Sequence, residues 1–482
     1  MDLERALKPG ARVFLVGIKG TGMCAFAELL RDEGIEVSGS DTEEVFYTDS
    51  TLKELGIPYV ESFAPEALPA GIDLLVYSAA YAPETNGQLA LAQKRGVPML
   101  KYPDALGAYS ARFDSSGIAG VHGKTTTTAM TGALIRALGL PARVLAGSAV
   151  NGFGGRSALC VGSRYFVAET CEYRRHFMAF HPRRIVLTSV ESDHQDYYPD
   201  YASIRDAFLD YGRKLPPGGA LIYCADDPGA RETAETIGGE GRGIRLIPYG
   251  FGAEGPFKIE GYHAANERLQ ARFRGFPGEF RIRIPGRHSM INAAAALALT
   301  SELVREESGG DGWDEERLER ARRGLEEFTG TKRRSEIIGE AGGVVFVDDY
   351  GHHPTAVKTT LAGFREFYPR RRLIVSFMSH TYTRTAALLD DFAGAFGDAD
   401  ILFLHKIYAS ARERYRGGVN GKTLFEKVIA ARKNKSGVYY TEEPLDAALP
   451  LKEMLRPGDL FITMGAGDNW KLGRALLESR LP

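Results

Sequence analysis

What this chain lacks narrows it first. Its 482 residues hold four cysteines, Cys24, Cys160, Cys171 and Cys224, without CxxC spacing or a zinc-like pairing with histidine. So few, so scattered, cannot staple a fold of this length. No run approaches the roughly 18 apolar residues that cross a bilayer, so no membrane insertion is expected. The opening MDLERALKPGARVFLVG is too charged for a signal peptide, and a reducing, cytoplasmic setting is expected. Charge of either sign is also missing in excess: 60 Lys+Arg face 62 Asp+Glu, a formal −2. That excludes a protein whose main task is gripping nucleic acid by electrostatics, and leaves local anion sites open.

Glycine is present in excess, 56 residues against a usual share of about 7%. It follows no collagen-like period, which points to turns and close-approach loops. The rest is ordinary globular composition, 44% hydrophobic and 25% charged, and the length predicts about three domains. Short apolar runs alternate with helical patterns from the start: RVFLVG, then MCAFAELLRDEG, then EVSGSD, TLKELG, DLLVYSAA, QLALAQKRG and VPMLKYP. Such alternation predicts a parallel sheet flanked by helices. After a connector around Tyr109–Ser116 the pattern restarts with SGIAGV and a helix over Lys124–Leu138, followed by RYFVAE, RRIVLTSV and ALIYCADD. Residues 243–285 read as β-rich. Two helical stretches follow, HSMINAAAALALTSELV and WDEERLERARRGLEEF; a third series of strands then begins with GGVVFVDDY. The fold expected is α/β with three domains: 1–113 Rossmann-like, 114–330 a P-loop ATPase with a mostly parallel sheet, and 331–482 again Rossmann-like.

The strongest local signal is GVHGKTTTT, Gly120–Thr128. A phosphate loop needs glycines where backbone N–H groups wrap the anion. It also needs a lysine for the terminal phosphates, a Ser/Thr hydroxyl for Mg²⁺, and a helix N-terminus beneath them. The strict G-x-x-x-x-G-K-[ST] form fails, since Ile118 stands where the first glycine belongs, but the strand–loop–helix setting is right. Gly418-Val-Asn-Gly421-Lys422-Thr423 has the same spacing behind the polar run ARERYRGG, and there a plain helix start is expected. GIKGTG, Gly17–Gly22, opens the first helix with Asp41 at the distance of a ribose-binding acid; its order is not that of the dinucleotide fingerprint, so a nucleotide pyrophosphate is expected more than NAD.

Carboxylates and imidazoles gather at later strand ends: Glu169 and Glu172, then Asp193, His194 and Asp196 in ESDHQDYY, where parallel strands deliver their C-terminal ends to one crevice. His288 and Asn292 stand four apart on one helix face. RRSE (Arg333–Glu336), VDDYGHHPT and SHTYTRT complete the polar clusters.

Six ordered strings, GIKGTGMC, GVHGKTTTT, DHQDYY, GRHSMINAAAA, DDYGHHPT and HTYTRT, resemble the Mur ligases, the ATP-dependent amide-forming enzymes of bacterial peptidoglycan synthesis. The resemblance runs from Gly17 to GAGD at Gly465–Asp468. It implies that the first domain takes a UDP-sugar through Gly17, Gly20, Thr21, Gly22, Asp41 and Ser78. The second would hold ATP through Gly120, His122, Gly123, Lys124, Thr125 and Thr126, with His288, Asn292, Arg333 and Asp349 contributing. Lys124 would hold the β/γ-phosphates and Thr125 one Mg²⁺, with Glu169, Glu172 and His194 as ligands to a second. His352, His380 and Arg384 would line the amino-acid and muramyl end, and a base near His194 or His352 would take the amine proton. The family's metal string often reads EADESD; here it is Glu169-Thr-Cys-Glu172-Tyr-Arg174, and either glutamate stands as the principal ligand.

HTYTRT and DDYGHHPT favour the branch that joins L-alanine to UDP-N-acetylmuramate, working as a monomer or weak homodimer without nucleic acid. The alternatives are a related ligase adding another amino acid, a preformed peptide or glutamate to folate; an NAD-dependent oxidoreductase built on GIKGTG; and a non-catalytic nucleotide-binding regulator.

Overall fold

The computed structural model describes residues 7–265, 267–310, 312–409, 413, 415, 417–432 and 436–479. Its contacts group the chain into two compact units. One comprises Met1–Val190, Arg205–Lys258 and Ala293–Gly324; the other comprises Glu191–Ile204, Ile259–Asn292 and Leu325–Pro482. Residues 1–6, the start of the stretch too charged for a signal peptide, lie outside the described residues. No helix among the described residues is long and apolar enough to cross a membrane.

In the first unit Arg12–Val16 forms the centre of a five-stranded parallel sheet, with Glu36–Ser40 and Tyr59–Val60 on one side and Leu74–Tyr77 and Met99–Lys101 on the other. Val13, Phe14, Leu15 and Val16 are all buried, as a strand covered on both faces requires. The chain order reverses on either side of this strand. Ligands of open α/β sheets sit at such a switch point, outside the strands' carboxyl ends, and GIKGTG, Asp41 and Ser78 occupy that edge.

The same unit contains a seven-stranded sheet built around Asp114–Ala119, which lies parallel to Tyr165–Glu169 and to Arg184–Leu187. Ala220–Cys224 and Arg245–Tyr249 extend it in parallel. Two features differ from the sequence expectation. An edge hairpin, Ala142–Val150 with Arg156–Cys160, is antiparallel; its Ala, Gly and Ser residues break the apolar run that marks a strand. The supposed connector at Tyr109–Ser116 is only residues 111–113, because Tyr102–Ser110 is a helix with proline in its first turn. That helix delivers Tyr109 into the core, edge-on to Phe26 and Phe166.

The helix Thr21–Asp32 packs on the edge hairpin and buries Glu28, only 6% exposed. Burial pushes the Glu28 carboxyl up to about 7, against the pull of the Ser157 and Ala158 amides and of Arg156. A carboxyl that binds its proton more tightly folded than unfolded costs nothing below pH ~4 and up to about 3 kcal/mol above pH ~7. Glu28→Gln is therefore expected to raise the thermal midpoint at pH 8 and to leave it nearly unchanged at pH 4.5. An equal shift at both pH values would show that the carboxyl's charge is not the cause.

In the second unit a six-stranded sheet is centred on Leu460–Gly465 and Val344–Asp349, flanked by Leu373–Met378, Ile401–Leu404 and Val438–Tyr440, all parallel. Glu336–Ala341 closes one edge antiparallel. The carboxyl ends of these strands carry DDYGHHPT, SHTYTRT and GAGD. The β-rich reading of 243–285 corresponds partly to a small antiparallel sheet, Ile259–Ala265, Arg268–Phe273 and Phe280–Ile282.

Candidate active site

The glycine loop Gly120–Thr125 is assembled by close backbone approach. Gly120 has φ +135°, and a Cβ there would overlap Thr188 and Ser189. Thr188–Ser189, just past the neighbouring strand, hold the loop: the Val121 amide donates to the Ser189 carbonyl (3.1 Å), the His122 amide to Ser189 Oγ (2.9 Å), and Thr188 Oγ1 to the His122 carbonyl. Gly123 is left-handed (φ +81°) and starts the helix Lys124–Leu138, with no side chain capping that start. Thr126 is half-buried in that helix's first turn.

Lys124 Nζ donates to Glu172 Oε2 at 2.9 Å and to the Gly120 carbonyl. Burial works against its charge, but Glu172 and Glu169 outweigh it and hold the ammonium above its ordinary range. Thr125 Oγ1 donates to Glu169 Oε2 at 2.8 Å, and the Gly147 amide reaches the same oxygen at 3.0 Å. Both glutamates thus join the loop, Glu169 beside the threonine and Glu172 beside the lysine. Hydroxyl and carboxylate oxygens are the donor set that suits Mg²⁺.

The glycine loop of the first sheet is equally tight. Gly17 (φ +86°) leaves no room for a Cβ, which would fall 2.9 Å from Ser78 and the Tyr81 ring. Gly20 caps the helix that Thr21 and Gly22 begin, accepting from the Cys24 amide at 2.8 Å. Asp41 is committed inward: its carboxylate accepts from the amides of Lys19 (2.7 Å) and Thr42 (2.8 Å), which makes it an anchor for this loop.

The second unit gathers its own cluster. Arg384, 5% exposed, places Nε and Nη2 on Asp193 Oδ1 at 3.0 and 2.7 Å, and Nη1 on His380 Nδ1 at 3.1 Å. Although burial opposes it, Arg384 with His194 holds the Asp193 carboxyl well below the usual carboxylate range. The His194 amide also donates to Asp193 (2.7 Å), and its ring Nε2 lies 3.8 Å away. His352 packs edge-on against His380 and Tyr350, with Nδ1 2.8 Å from the Tyr350 carbonyl. That contact assigns the proton to Nδ1 and leaves Nε2 as an acceptor. Burial, Arg384 and His380 push its pKa well down, so the ring is neutral.

Arg333 is spent on Asp348 (3.0 Å) and the carbonyls of Gly465 and Gly467, over the face of Tyr350. Asp349 accepts from the amides of Ser335 (2.7 Å) and Gly351 (2.6 Å). These two therefore brace the strand end from which DDYGHHPT departs. His288 and Asn292 lie on the opening turns of the helix Arg287–Ser308. Lys422 is different again: the helix Gly421–Ala431 is closed by a capping box between Asn420 and Thr423, and its lysine is exposed. Of the run before it, Ala411, Arg412, Arg414 and Arg416 lie outside the described residues.

Seven non-glycine residues among those described have left-handed φ, and six of them, Arg174, Arg175, His194, Arg333, Ser335 and Thr381, fall in these polar strings. Such backbone costs of order 1–3 kcal/mol per residue and persists where its surroundings over-determine it, commonly at functional sites. The sequence reading missed Lys19, whose signal is a charged residue inside a glycine turn. It also missed the Asp193–Arg384 pair, which joins two strings nearly two hundred positions apart.

A helix-flanked parallel sheet with a phosphate loop, and carboxylates delivered by the next strand, defines a nucleotide-using enzyme of the α/β class. Residues 12–114 match the Mur ligase family catalytic domain, 118–300 the Mur ligase middle domain, and 333–467 the Mur ligase glutamate ligase domain. Over 469 residues the chain is 50% identical to a UDP-N-acetylmuramate–L-alanine ligase of Treponema pallidum, covering 97% of this chain and 96% of that one. A ligase of the same name from Borrelia garinii is 39% identical, covering 95% and 97%. In fold it resembles the crystal structure of UDP-N-acetylmuramate-alanine ligase MurC from Thermotoga maritima, with TM-score 0.76, 24% identity and coverage of 97% and 98%. The chain belongs to the Mur ligase family and has its three-domain α/β fold.

Proposed function

We propose that the chain joins L-alanine to the carboxylate of UDP-N-acetylmuramate at the expense of ATP, a step of peptidoglycan precursor synthesis. The observation that carries this is the loop Gly120–Thr125, with Lys124 on Glu172 and Thr125 on Glu169, in a chain half identical to a relative of that name. The working division is 1–113 for the UDP-sugar, 114–330 for ATP and 331–482 for the amino acid, acting in the cytoplasm as a monomer or weak homodimer.

The chemistry has a physical logic. A carboxylate is a poor acyl donor because oxide would have to leave. Phosphoryl transfer from ATP turns that oxygen into a good leaving group, and the neutral amine of alanine then displaces phosphate. Gly120, His122, Gly123 and Thr126 would cradle the nucleotide, and Lys124 would offset charge on the transferring phosphoryl. Thr125, Glu169, Glu172 and His194 are the residues to hold Mg²⁺, which supplies Lewis-acid neutralisation of the phosphate oxygens. His288, Asn292, Arg333 and Asp349 would support the nucleotide, the last two by bracing their strand end. Gly17, Gly20, Thr21, Gly22, Asp41 and Ser78 would form the UDP-sugar loop. His380 and Arg384 would shape the amino-acid end, and His352, neutral with Nε2 free to accept, is the best-suited group for the amine proton.

Phosphate release from ATP with UDP-N-acetylmuramate and a panel of amino acids tests the reading. Turnover with L-alanine is expected, with weaker rates for serine or glycine. Absence of release with every amino acid would overturn it.

A further inference from the structure

Lys19 sits in the middle of the glycine loop, where a turn needs no side chain, yet its side chain is wholly shielded from solvent. Its ammonium has three protons and three acceptors: the carbonyls of Thr42 (2.9 Å) and Glu44 (3.0 Å), and Glu61 Oε1 (2.6 Å). Asp49 Oδ1 lies 3.3 Å away, and the Tyr59 ring covers another side at 5.3 Å. Burial opposes its charge, but Glu61 and Asp49 outweigh that and hold the lysine protonated. The Lys19 backbone is used as fully: its amide donates to Asp41, and its carbonyl accepts from Thr48 Oγ1 at 2.5 Å.

All these partners but Glu61 and the Tyr59 ring belong to one strap, residues 41–49, which follows the second strand of the first sheet. A buried ammonium that lost any partner would carry the desolvation cost of an unpaired charge, so the contacts hold as a set. What they hold down is Tyr47. Its hydroxyl donates to Thr21 Oγ1 at 2.9 Å at the start of the glycine-loop helix, while the residue keeps 40% of its surface exposed. The strap thus presents an aromatic ring directly beside the loop.

We propose that Lys19 is a positioning residue for the nucleotide-sugar substrate. It clamps the strap 41–49 onto the glycine loop and so sets Tyr47 as a wall of that site, without touching the ligand. This rests on the UDP-sugar reading of the loop and adds to it which residues fix the loop's outer edge.

The test compares wild type, Lys19→Met, Lys19→Arg and Tyr47→Phe in steady-state kinetics with each substrate varied in turn. Lys19→Met is expected to raise KM for UDP-N-acetylmuramate by about 10-fold or more, with kcat within about 3-fold and KM for ATP unchanged. Lys19→Arg should recover part of that loss. Tyr47→Phe, which removes one hydroxyl and keeps the clamp, should raise the same KM by a few fold and serves alone if Lys19→Met does not fold. An unchanged KM for the UDP-sugar in Tyr47→Phe and in every soluble Lys19 variant overturns the proposal, even where melting temperature falls. Wild-type inactivity with UDP-N-acetylmuramate would instead overturn the functional reading on which it rests.

Discussion

Lys124→Ala is expected to lower kcat by about a thousandfold or more, the scale seen when a preorganised charge facing a developing oxyanion is removed. The lysine stands on the first turn of a helix whose free amides already favour an anion, and its ammonium is held in place by Glu172 at 2.9 Å. A positive charge fixed in a low-dielectric cleft acts on a phosphoryl group far more strongly than one in water. Glu172, 2% exposed, would lose its counter-charge, so some loss of stability accompanies the loss of rate. The companion variant separates the two effects from trivial ones. Lys422→Ala carries the same substitution in the same hexapeptide spacing, but that lysine is exposed and its helix start is satisfied by Asn420 and Thr423. Turnover there should stay within about twofold of wild type, as for surface substitutions generally. Equal losses in the two variants, measured as phosphate release at saturating substrates, would mean that Gly120–Thr125 is not the nucleotide loop.

The contrast between the two GKT strings also marks how much of a site lies in the sequence alone. Strand, loop and helix around Gly120 were legible because apolar runs and glycine punctuation are local signals. So were the strand ends that carry Glu169, His352 and His380, since parallel strands share a direction. What escaped depends either on where a side chain finds its partners or on local signals that read two ways. Asp41 stands where a ribose-binding acid belongs, yet its carboxylate is used on two loop amides, a choice that spacing cannot reveal. The helix Tyr102–Ser110 was hidden by its proline, a breaker inside a helix and a favoured residue in its first turn. The hairpin Ala142–Val150 was hidden by small residues, though its Gly147 amide reaches Glu169. Lys19 is buried inside a glycine turn, because its three acceptors come from segments that only the folded sheet brings to it.

Arg384→Leu is expected to cost about 3–5 kcal/mol of stability, because it strips the counter-charge from a buried carboxylate. Asp193 is 7% exposed and takes two of the guanidinium's donors on a single oxygen. In the native protein its carboxyl is held well below the usual range. That contribution is present above the unfolded pKa of roughly 4 and is lost only as pH falls through the lower folded value, so wild-type stability should hold from pH 8 down to about pH 4 as far as this pair is concerned. Without the arginine the sign reverses. Burial then dominates, the carboxyl is pushed above its unfolded value, and the deficit is largest at neutral pH and shrinks as the medium is acidified. Urea unfolding of wild type and Arg384→Leu at pH 7.5 and pH 5 reads this directly. Adding Asp193→Asn to Arg384→Leu removes the stranded charge and should return much of the loss at pH 7.5, with little further gain at low pH. The same pair orients His380, since Arg384 donates to its Nδ1, so the double variant should regain stability without regaining full turnover. A single variant as stable as wild type at pH 7.5 would mean that the pair does not hold DHQD to HTYTRT. Recovery of full activity by the double variant would instead mean that Arg384 acts through Asp193 alone.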